Sequence, residues 1–208
     1  IPRFIDEVKY FKDNYGIEFV YIAAEMFLPT TKQRIRDFSR LWKEKVGIPF
    51  WCEVRIEGVD EENVRLIEEA GCTSISFGVE SGNEELRKKM LHRMMSNKQL
   101  IEGGRLLVKS KMHTHSNSII GFPGETREQI FDTIEINREI NTQNIMIHVF
   151  NPYRGTSLYD ISVAKGYIPP DHMAGDYRAD FTLNMPQISK AEILGLQRTF
   201  AMYVKFPK

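Results

Sequence analysis

The stretch Ser74-Ile75-Ser76-Phe77-Gly78-Val79-Glu80-Ser81-Gly82 decides the fold, and a charged helical run follows it from about Asn83. Its apolar residues alternate with small or polar ones, which predicts a strand with one apolar and one polar face. A helix follows without a hairpin turn, so the next strand is expected to be parallel. Parallel strands are normally covered on both faces, so the polar face predicts a cavity. Glu80 ends the strand where parallel α/β folds bind ligands.

The same strand and helix unit repeats along the chain. Strands are predicted at 18–26, 50–57, 74–80, 114–122 and 144–150. Right-handed βα units of this kind curl into a barrel. The predicted inward-facing residues are largely polar: Tyr21, Glu25, Glu53, Arg55, Ser76, Glu80, Asn117 and His148. The sequence therefore predicts an α/β fold, a partial TIM-like (β/α) barrel of about five parallel strands with a polar lumen over 1–155, and a C-terminal helical extension over 156–208.

Composition excludes several classes of function. The 208 residues carry 28 Lys or Arg and 28 Asp or Glu, so no global field attracts nucleic acid or an anionic membrane. No apolar run approaches the roughly 20 residues of a membrane span, and no signal-peptide pattern opens the chain, so a cytoplasmic protein is expected. Cys52 and Cys72 form no C-x-x-C pair and are interpreted as structural, reduced thiols.

Three charged residues are candidates for ligand binding. Glu80 stands at a strand end beside Ser81 and Gly82, where backbone can approach a ligand; the alternative is a carboxylate that pairs with Arg55 or caps the next helix. Glu25 and Arg55 hold corresponding positions on neighbouring predicted strands. A Glu-Arg-Glu set could hold both charged ends of an amino acid, or it could be a buried ion network. A third interpretation is a barrel lyase with Glu80 as general base and Arg55 as anion clamp.

Other motifs give weaker indications. The segment Gly121-Phe122-Pro123-Gly124-Glu125 predicts a strand that ends in a tight turn with its backbone exposed to a flat ligand. His113, His115 and His148 lack the spacing of a complete metal site, so no metal ligand is assigned. The pair Tyr153-Arg154 is either a loop anchor or a contact to adenine or substrate.

Three segments together resemble the radical S-adenosylmethionine enzymes. The first is Phe77-Gly78-Val79-Glu80-Ser81-Gly82 with Leu86-Lys88-Lys89-Met90 and Arg93, and the second is Ile119-Ile120-Gly121-Phe122-Pro123-Gly124-Glu125-Thr126. The third, Asn151-Pro152-Tyr153-Arg154-Gly155-Thr156-Ser157-Leu158-Tyr159 with Lys165-Gly166-Tyr167-Ile168, is similar to the cobalamin-associated branch, which includes the anaerobic magnesium-protoporphyrin IX monomethyl ester oxidative cyclase. The match runs in order through almost the whole chain.

The resemblance implies that strand ends hold S-adenosylmethionine against a [4Fe-4S] cluster, and that reductive cleavage gives a 5'-deoxyadenosyl radical for methylation, cyclisation or related chemistry. It further implies a small-molecule substrate, with a tetrapyrrole as one candidate, cobalamin as a possible cofactor, and flavodoxin or ferredoxin as electron donor. By family position, Glu25 would bind the methionine amine, Glu80 the ribose or methionine, and Arg93 the carboxylate. The predicted cofactor-binding residues are Glu25, Arg55, Glu80, Ser81, Arg93, Asn117, Gly121, Phe122, Pro123, Phe150 and Asn151; no catalytic residue is assigned.

One family element is missing from this sequence. The superfamily holds its cluster with a C-x-x-x-C-x-x-C loop after the first strand, and Cys52 and Cys72, on later strands, cannot replace it. We therefore expect a fragment of a larger enzyme, inactive alone and prone to self-association through the edge of its first predicted strand. The alternative is a protein that lost the cluster and kept the barrel as a non-catalytic binding or scaffolding module.

Overall fold

A computed structural model describes residues 1–23, 27–28, 30–175 and 181–206. The helices are α1 (Pro2–Tyr15), α2 (Lys32–Leu41), α3 (Glu61–Ala70), α4 (Glu84–Leu91), α5 (Asn97–Val108), α6 (Arg127–Ile140), α7 (Ser157–Ala164) and α8 (Lys190–Lys205). The strands are β1 (Val20–Ile22), β2 (Phe50–Val54), β3 (Cys72–Glu80), β4 (His113–Ile120) and β5 (Asn144–Val149).

The strands form one sheet in the order β1-β2-β3-β4-β5, with β1 and β2 and then β2 and β3 paired in parallel. Helical segments connect the strands, and this arrangement confirms the predicted α/β fold with five parallel strands. β2 is shorter than predicted and ends at Val54. The carbonyls of Arg55 and Ile56 accept hydrogen bonds from the amides of Gly58 and Val59, which turns the chain into a short 3-10 helix. Arg55 therefore follows the strand.

The contacts divide the chain into two compact units. The first comprises 1–78, 98–116 and 142–144, and the second comprises 79–97, 117–141 and 145–208, within the described residues. In the first unit, the rings of Phe38, Trp42 and Phe50 pack together, with Trp42 5.3 Å from Phe38 and 4.8 Å from Phe50 between ring centroids. The indole of Trp42 also donates to the carbonyl of Ile48 at 2.9 Å, so its buried polar atom is satisfied.

The second unit has its own apolar core, built from β4, β5, α6 and α8. Its members include Ile120, Phe122, Ile130, Ile134, Val149, Phe181, Leu196 and Phe200. Thr126 starts α6 with a reciprocal capping box to Gln129, which satisfies two amides at the start of the helix. The core fixes the positions of the strand ends described below.

The described part of the chain contains no helix long and apolar enough to cross a membrane. Helices α7 and α8 lie within the C-terminal extension predicted over 156–208. The division into a barrel and an extension at residue 155 stays a prediction.

Candidate functional site

Glu80 and Arg93 form an ion pair at the carboxyl end of β3. Glu80 Oε1 lies 3.1 Å from Arg93 Nη2, and the two side chains are 18% and 27% exposed. Glu80 has a φ of 60°, in the left-handed region that residues other than glycine rarely adopt. A residue in this conformation at the end of a strand is a candidate for a functional role. The structure therefore brings together two of the residues predicted to bind cofactor.

The loop after Glu80 is held closely against α6. The amide of Gly82 donates to Thr133 Oγ1 at 2.8 Å, and a Cβ at Gly82 would lie 2.2 Å from the carbonyl oxygen of Asp132. Only glycine fits there. Ser81 is fully buried, and its hydroxyl accepts the amide of Asn83 at 3.2 Å. Ser81 thus has a structural hydrogen bond, and its predicted cofactor contact stays a proposal.

Arg87, which the sequence did not indicate, fastens the segment that carries Arg93. Its fully buried guanidinium donates to the carbonyl of Ser81 at 2.6 Å, to the carbonyl of Met95 at 3.0 Å and to Asn97 Oδ1 at 2.8 Å. Burial lowers the pKa of Arg87 from its usual value, but arginine remains charged in proteins. One side chain therefore ties both ends of the connection between β3 and α5.

The turn after β4 is held by Glu125. Its Oε2 accepts the amides of Gly121 at 2.5 Å and Phe122 at 3.1 Å, while its own amide donates to the carbonyl of Phe122 at 2.9 Å. Glu125 is 1% exposed. Burial raises its pKa to about 8, although the two backbone donors act in the opposite direction. Burial therefore favours the neutral form of Glu125, a residue that the sequence-based prediction of Gly121, Phe122 and Pro123 did not include.

The apolar members of the predicted site belong to the core. Phe122 and Phe150 are buried with their ring centroids 5.5 Å apart, and Pro123 is buried as well. A Cβ at Gly121, which has a φ of 86°, would lie 2.5 Å from the ring of Phe181. These four residues could therefore contact a ligand mainly through their backbone.

Two buried amide oxygens are available for a ligand. Asn117 Oδ1 and Asn151 Oδ1 have no hydrogen-bond partner among the described residues, whereas the Asn151 amide nitrogen donates to the carbonyl of Gly175 at 2.7 Å. A buried acceptor without a donor costs about 1 to 3 kcal/mol. Donor groups on a bound molecule would remove that cost. In the following loop, Arg154 Nε donates to the carbonyl of His172 at 3.1 Å, which favours the interpretation as a loop anchor.

The remaining predicted charges lie in the first unit or outside the described residues. Arg55 Nη2 lies 2.5 Å from Glu57 Oε1, an ion pair that the sequence analysis did not anticipate. Glu25 lies outside the described residues, so the proposed set of Glu25, Arg55 and Glu80 in one cavity stays a prediction. Within the part of the chain that the structure describes, no group of three or more His, Cys, Asp or Glu could hold a metal ion.

An aromatic and polar cluster occupies one face of the sheet in the first unit. The ring of His115 stacks on Trp51 with centroids 4.6 Å apart, and the Trp51 indole donates to Ser76 Oγ at 2.8 Å. Tyr21 donates to Glu53, and burial together with this bond raises the pKa of Tyr21 to about 12. Burial lowers the pKa of His115. The predicted polar face exists here, although its largest member, Trp51, was not among the residues predicted to line the lumen.

The comparison with sequence families identifies the chain's relatives. The sequence model of the Radical SAM superfamily matches residues 2–136. The chain belongs to the radical S-adenosylmethionine (SAM) superfamily. This membership confirms the resemblance inferred from the strand-end motifs.

Similar curated proteins and solved structures extend this result. An uncharacterized methyltransferase of Pyrococcus horikoshii is 25% identical, over 81% of this chain and 36% of its own length. The anaerobic magnesium-protoporphyrin IX monomethyl ester cyclase of Rubrivivax gelatinosus is 22% identical, over 76% of this chain and 28% of its own. The radical SAM coproporphyrinogen III oxidase of Escherichia coli has a similar fold, with a TM-score of 0.67, 15% identity and coverage of 98% of this chain and 45% of its own. The chain therefore spans about a third of the curated relatives, and the likeness of fold confirms the predicted TIM-like class.

Proposed function

We propose that the protein to which these residues belong is a radical SAM enzyme that binds SAM at its strand ends, with a [4Fe-4S] cluster held by cysteines outside this chain. The superfamily match over residues 2–136 carries the proposal. The relatives named above are a methyltransferase and a cyclase, and nothing in the comparisons supports a non-catalytic module.

The strand-end residues fit SAM chemically. Glu80 and Arg93 present opposite charges side by side, which suits the ammonium and carboxylate of a methionine group. The unpartnered oxygens of Asn117 and Asn151 would accept from ribose hydroxyls or an adenine amino group. When bound together with its cluster, SAM supplies one-electron, hydrogen-abstracting chemistry, whereas the residues of this chain bind and orient it.

The proposal also covers the substrate, the partners and the location of the enzyme. A small-molecule substrate undergoes methylation, cyclisation or a related reaction, and a tetrapyrrole is a candidate because relatives act on that class. Cobalamin is a candidate cofactor because solved radical SAM enzymes of similar fold carry it. A flavodoxin or ferredoxin supplies electrons in the cytoplasm.

Substitution of Glu80 tests the SAM site. Glu80→Gln removes one charge-assisted interaction while it preserves the shape of the side chain. We expect SAM affinity to fall by about 1.5 to 3 kcal/mol, roughly ten- to a hundredfold. Calorimetric titration of the anaerobically reconstituted whole protein measures this change.

Glu85→Gln is the matched control. Glu85 lies five residues later, is 72% exposed and pairs with Lys89 on the surface of α4. Its substitution should leave the dissociation constant of SAM unchanged. If Glu80→Gln also leaves that constant unchanged while the cluster is present, Glu80 has a structural role and the proposed site is wrong.

A further inference from the structure

Two thiols of the first unit lie in contact on the buried face of the sheet. Cys52 Sγ and Cys72 Sγ are 3.7 Å apart, on the neighbouring parallel strands β2 and β3. Both are free cysteines, and they are 0% and 5% exposed. Because they form no C-x-x-C pair, the sequence predicted only structural, reduced thiols here.

An irregularity in the strand pairing brings the two sulfurs to the same face. Phe50 pairs with Cys72, but Trp51 pairs with Ser74 and Cys52 with Ile75, so β3 contains one extra residue at this point. An extra residue reverses the alternation of faces. Cys72 therefore lies on the buried face of the sheet with Cys52 and not on the opposite face, which a regular strand would give it.

The hydrogen bonds indicate different roles for the two thiols. Cys72 Sγ donates to the carbonyl of Ser74 at 3.1 Å, which leaves its lone pairs for the Cys52 thiol. Burial, followed by the bond to Cys72, raises the pKa of Cys52 well above its usual value. Cys52 is therefore held as the thiol, whereas the thiolate is the form that attacks a peroxide.

One of the two cysteines lines a surface cavity. The cavity has a volume of about 550 Å³, and its lining includes Cys72, Glu68, Lys111 and His113, but not Cys52. Lys111 has a side chain that is 93% exposed, so the cavity opens to solvent on that side. A molecule as small as a peroxide fits in this space beside Cys72.

We propose that Cys72 and Cys52 form an oxidation site for small peroxides, in which Cys72 reacts and Cys52 resolves. The Cys72 thiolate attacks one peroxide oxygen, so that an S–O bond forms, the O–O bond breaks and, with hydrogen peroxide, water leaves. The Cys52 sulfur then attacks the Cys72 sulfenic acid while its proton passes to the departing hydroxyl oxygen, so that an S–S bond forms, the S–O bond breaks and a second water leaves. The two thiols lose two electrons, and the peroxide gains them.

The local structure permits the closure. The sulfurs must approach from 3.7 Å to about 2.0 Å. A bulge leaves one residue unpaired in the ladder, here Thr73, so the backbone beside Cys72 is less restrained than a regular strand. The disulfide forms in preference to higher oxides because the resolving sulfur is already in contact.

To test this proposal, the purified 208-residue chain is treated with hydrogen peroxide in the presence of an iron chelator. It is then alkylated and analysed by mass spectrometry. We expect an intramolecular Cys52–Cys72 disulfide, seen as the loss of two hydrogens and of both alkylation sites, and full reversal by dithiothreitol. A disulfide between two chains, or sulfinic acid at Cys72 without a disulfide, would overturn the proposal.

Two variants assign the order of reaction, with folding checked by circular dichroism. In Cys52→Ala, dimedone should trap a sulfenic acid at Cys72, because no resolving thiol remains. In Cys72→Ala, trapping at Cys52 should be about 10-fold slower or more, because Cys52 is fully buried and does not line the cavity. Equal trapping at the two positions would contradict the assigned roles. If either variant fails to fold, the disulfide mapped in the unsubstituted chain still decides the main claim.

Discussion

The ends of β3 and β4 are held by buried side chains of opposite character. After β3, the Arg87 guanidinium donates to the carbonyls of Ser81 and Met95, which lie six and eight residues away outside its own helix. After β4, the Glu125 carboxyl group accepts amides from its own turn. Arginine keeps its charge at any physiological pH, whereas Glu125 titrates near neutrality. The contribution of Arg87 to the first strand end is therefore insensitive to pH, whereas that of Glu125 to the second is not.

Loss of Arg87 should have the largest effect on stability. Arg87→Met leaves two buried carbonyls and an amide oxygen without their donor. We expect the free energy of unfolding to fall by about 3 to 5 kcal/mol, as measured by urea denaturation. Lys89→Met, on the exposed side of the same helix, should change it by less than about 0.5 kcal/mol. Equal midpoints for the two variants would show that Arg87 does not hold this connection.

The free energy of unfolding should depend on pH through Glu125, which holds the end of β4. The folded pKa of Glu125, about 8, exceeds its ordinary value of 4.5, so folding favours the neutral acid. Its contribution is fully present below pH 4.5 and is lost as the pH rises through about 8. Between pH 4.5 and 7, the free energy of unfolding should fall by roughly 3 kcal/mol because of this group.

Glu125→Gln should abolish this decline, because an amide cannot ionise. Thermal unfolding at a series of pH values measures the difference between the variant and the unsubstituted chain. Glu128→Gln is the control: Glu128 is exposed, and hydrogen bonds to its own amide and to Thr126 lower its pKa. That variant should keep the decline between pH 5 and 8. A decline that persists in Glu125→Gln would mean that another group causes it.

The helix caps that follow the two strand ends should give the smallest effects. Asn83 accepts the amide of Leu86 at 2.9 Å at the start of α4, and Thr126 accepts the amide of Gln129 at 3.4 Å at the start of α6. Alanine at either position should cost about 1 kcal/mol of unfolding free energy. Because Asn83 also donates to Asp132 at 2.8 Å, Asn83→Ala should cost the more of the two. A larger cost for Thr126→Ala than for Asn83→Ala would indicate that the capping box contributes more than the bond between Asn83 and Asp132.

The two strand ends also differ in how far the sequence predicts them. Alternating apolar residues predicted β3, with Glu80 at its end, because those signals are local. Arg87 stands beside Lys88 and Lys89, so the sequence suggests that all three are solvated. Only the structure shows that Arg87 is buried and donates to the carbonyls of Ser81 and Met95. Glu125 could have been predicted, since a carboxylate that follows two turn glycines can accept the turn amides.

Arg55 shows a different limit. The alternation of residues continues past Val54, so the pattern alone extended β2 by three residues, whereas turn hydrogen bonds of the carbonyls of Arg55 and Ile56 end it. The ion pair between Glu80 and Arg93 could not be predicted from the sequence either, because thirteen positions and the whole of α4 separate the two residues. Strand identity is a local property, but pairing of charges depends on the fold.

Anaerobic reconstitution with iron and sulfide tests the central claim most directly. The account predicts a [4Fe-4S] signal by electron paramagnetic resonance, and stoichiometric iron, in the whole protein, including the variant with Cys52→Ala and Cys72→Ala. It predicts neither in the 208-residue chain, because the two cysteines of this sequence are too few for such a cluster. A whole protein that binds no cluster, or a 208-residue chain that binds one with both cysteines replaced, would contradict the account.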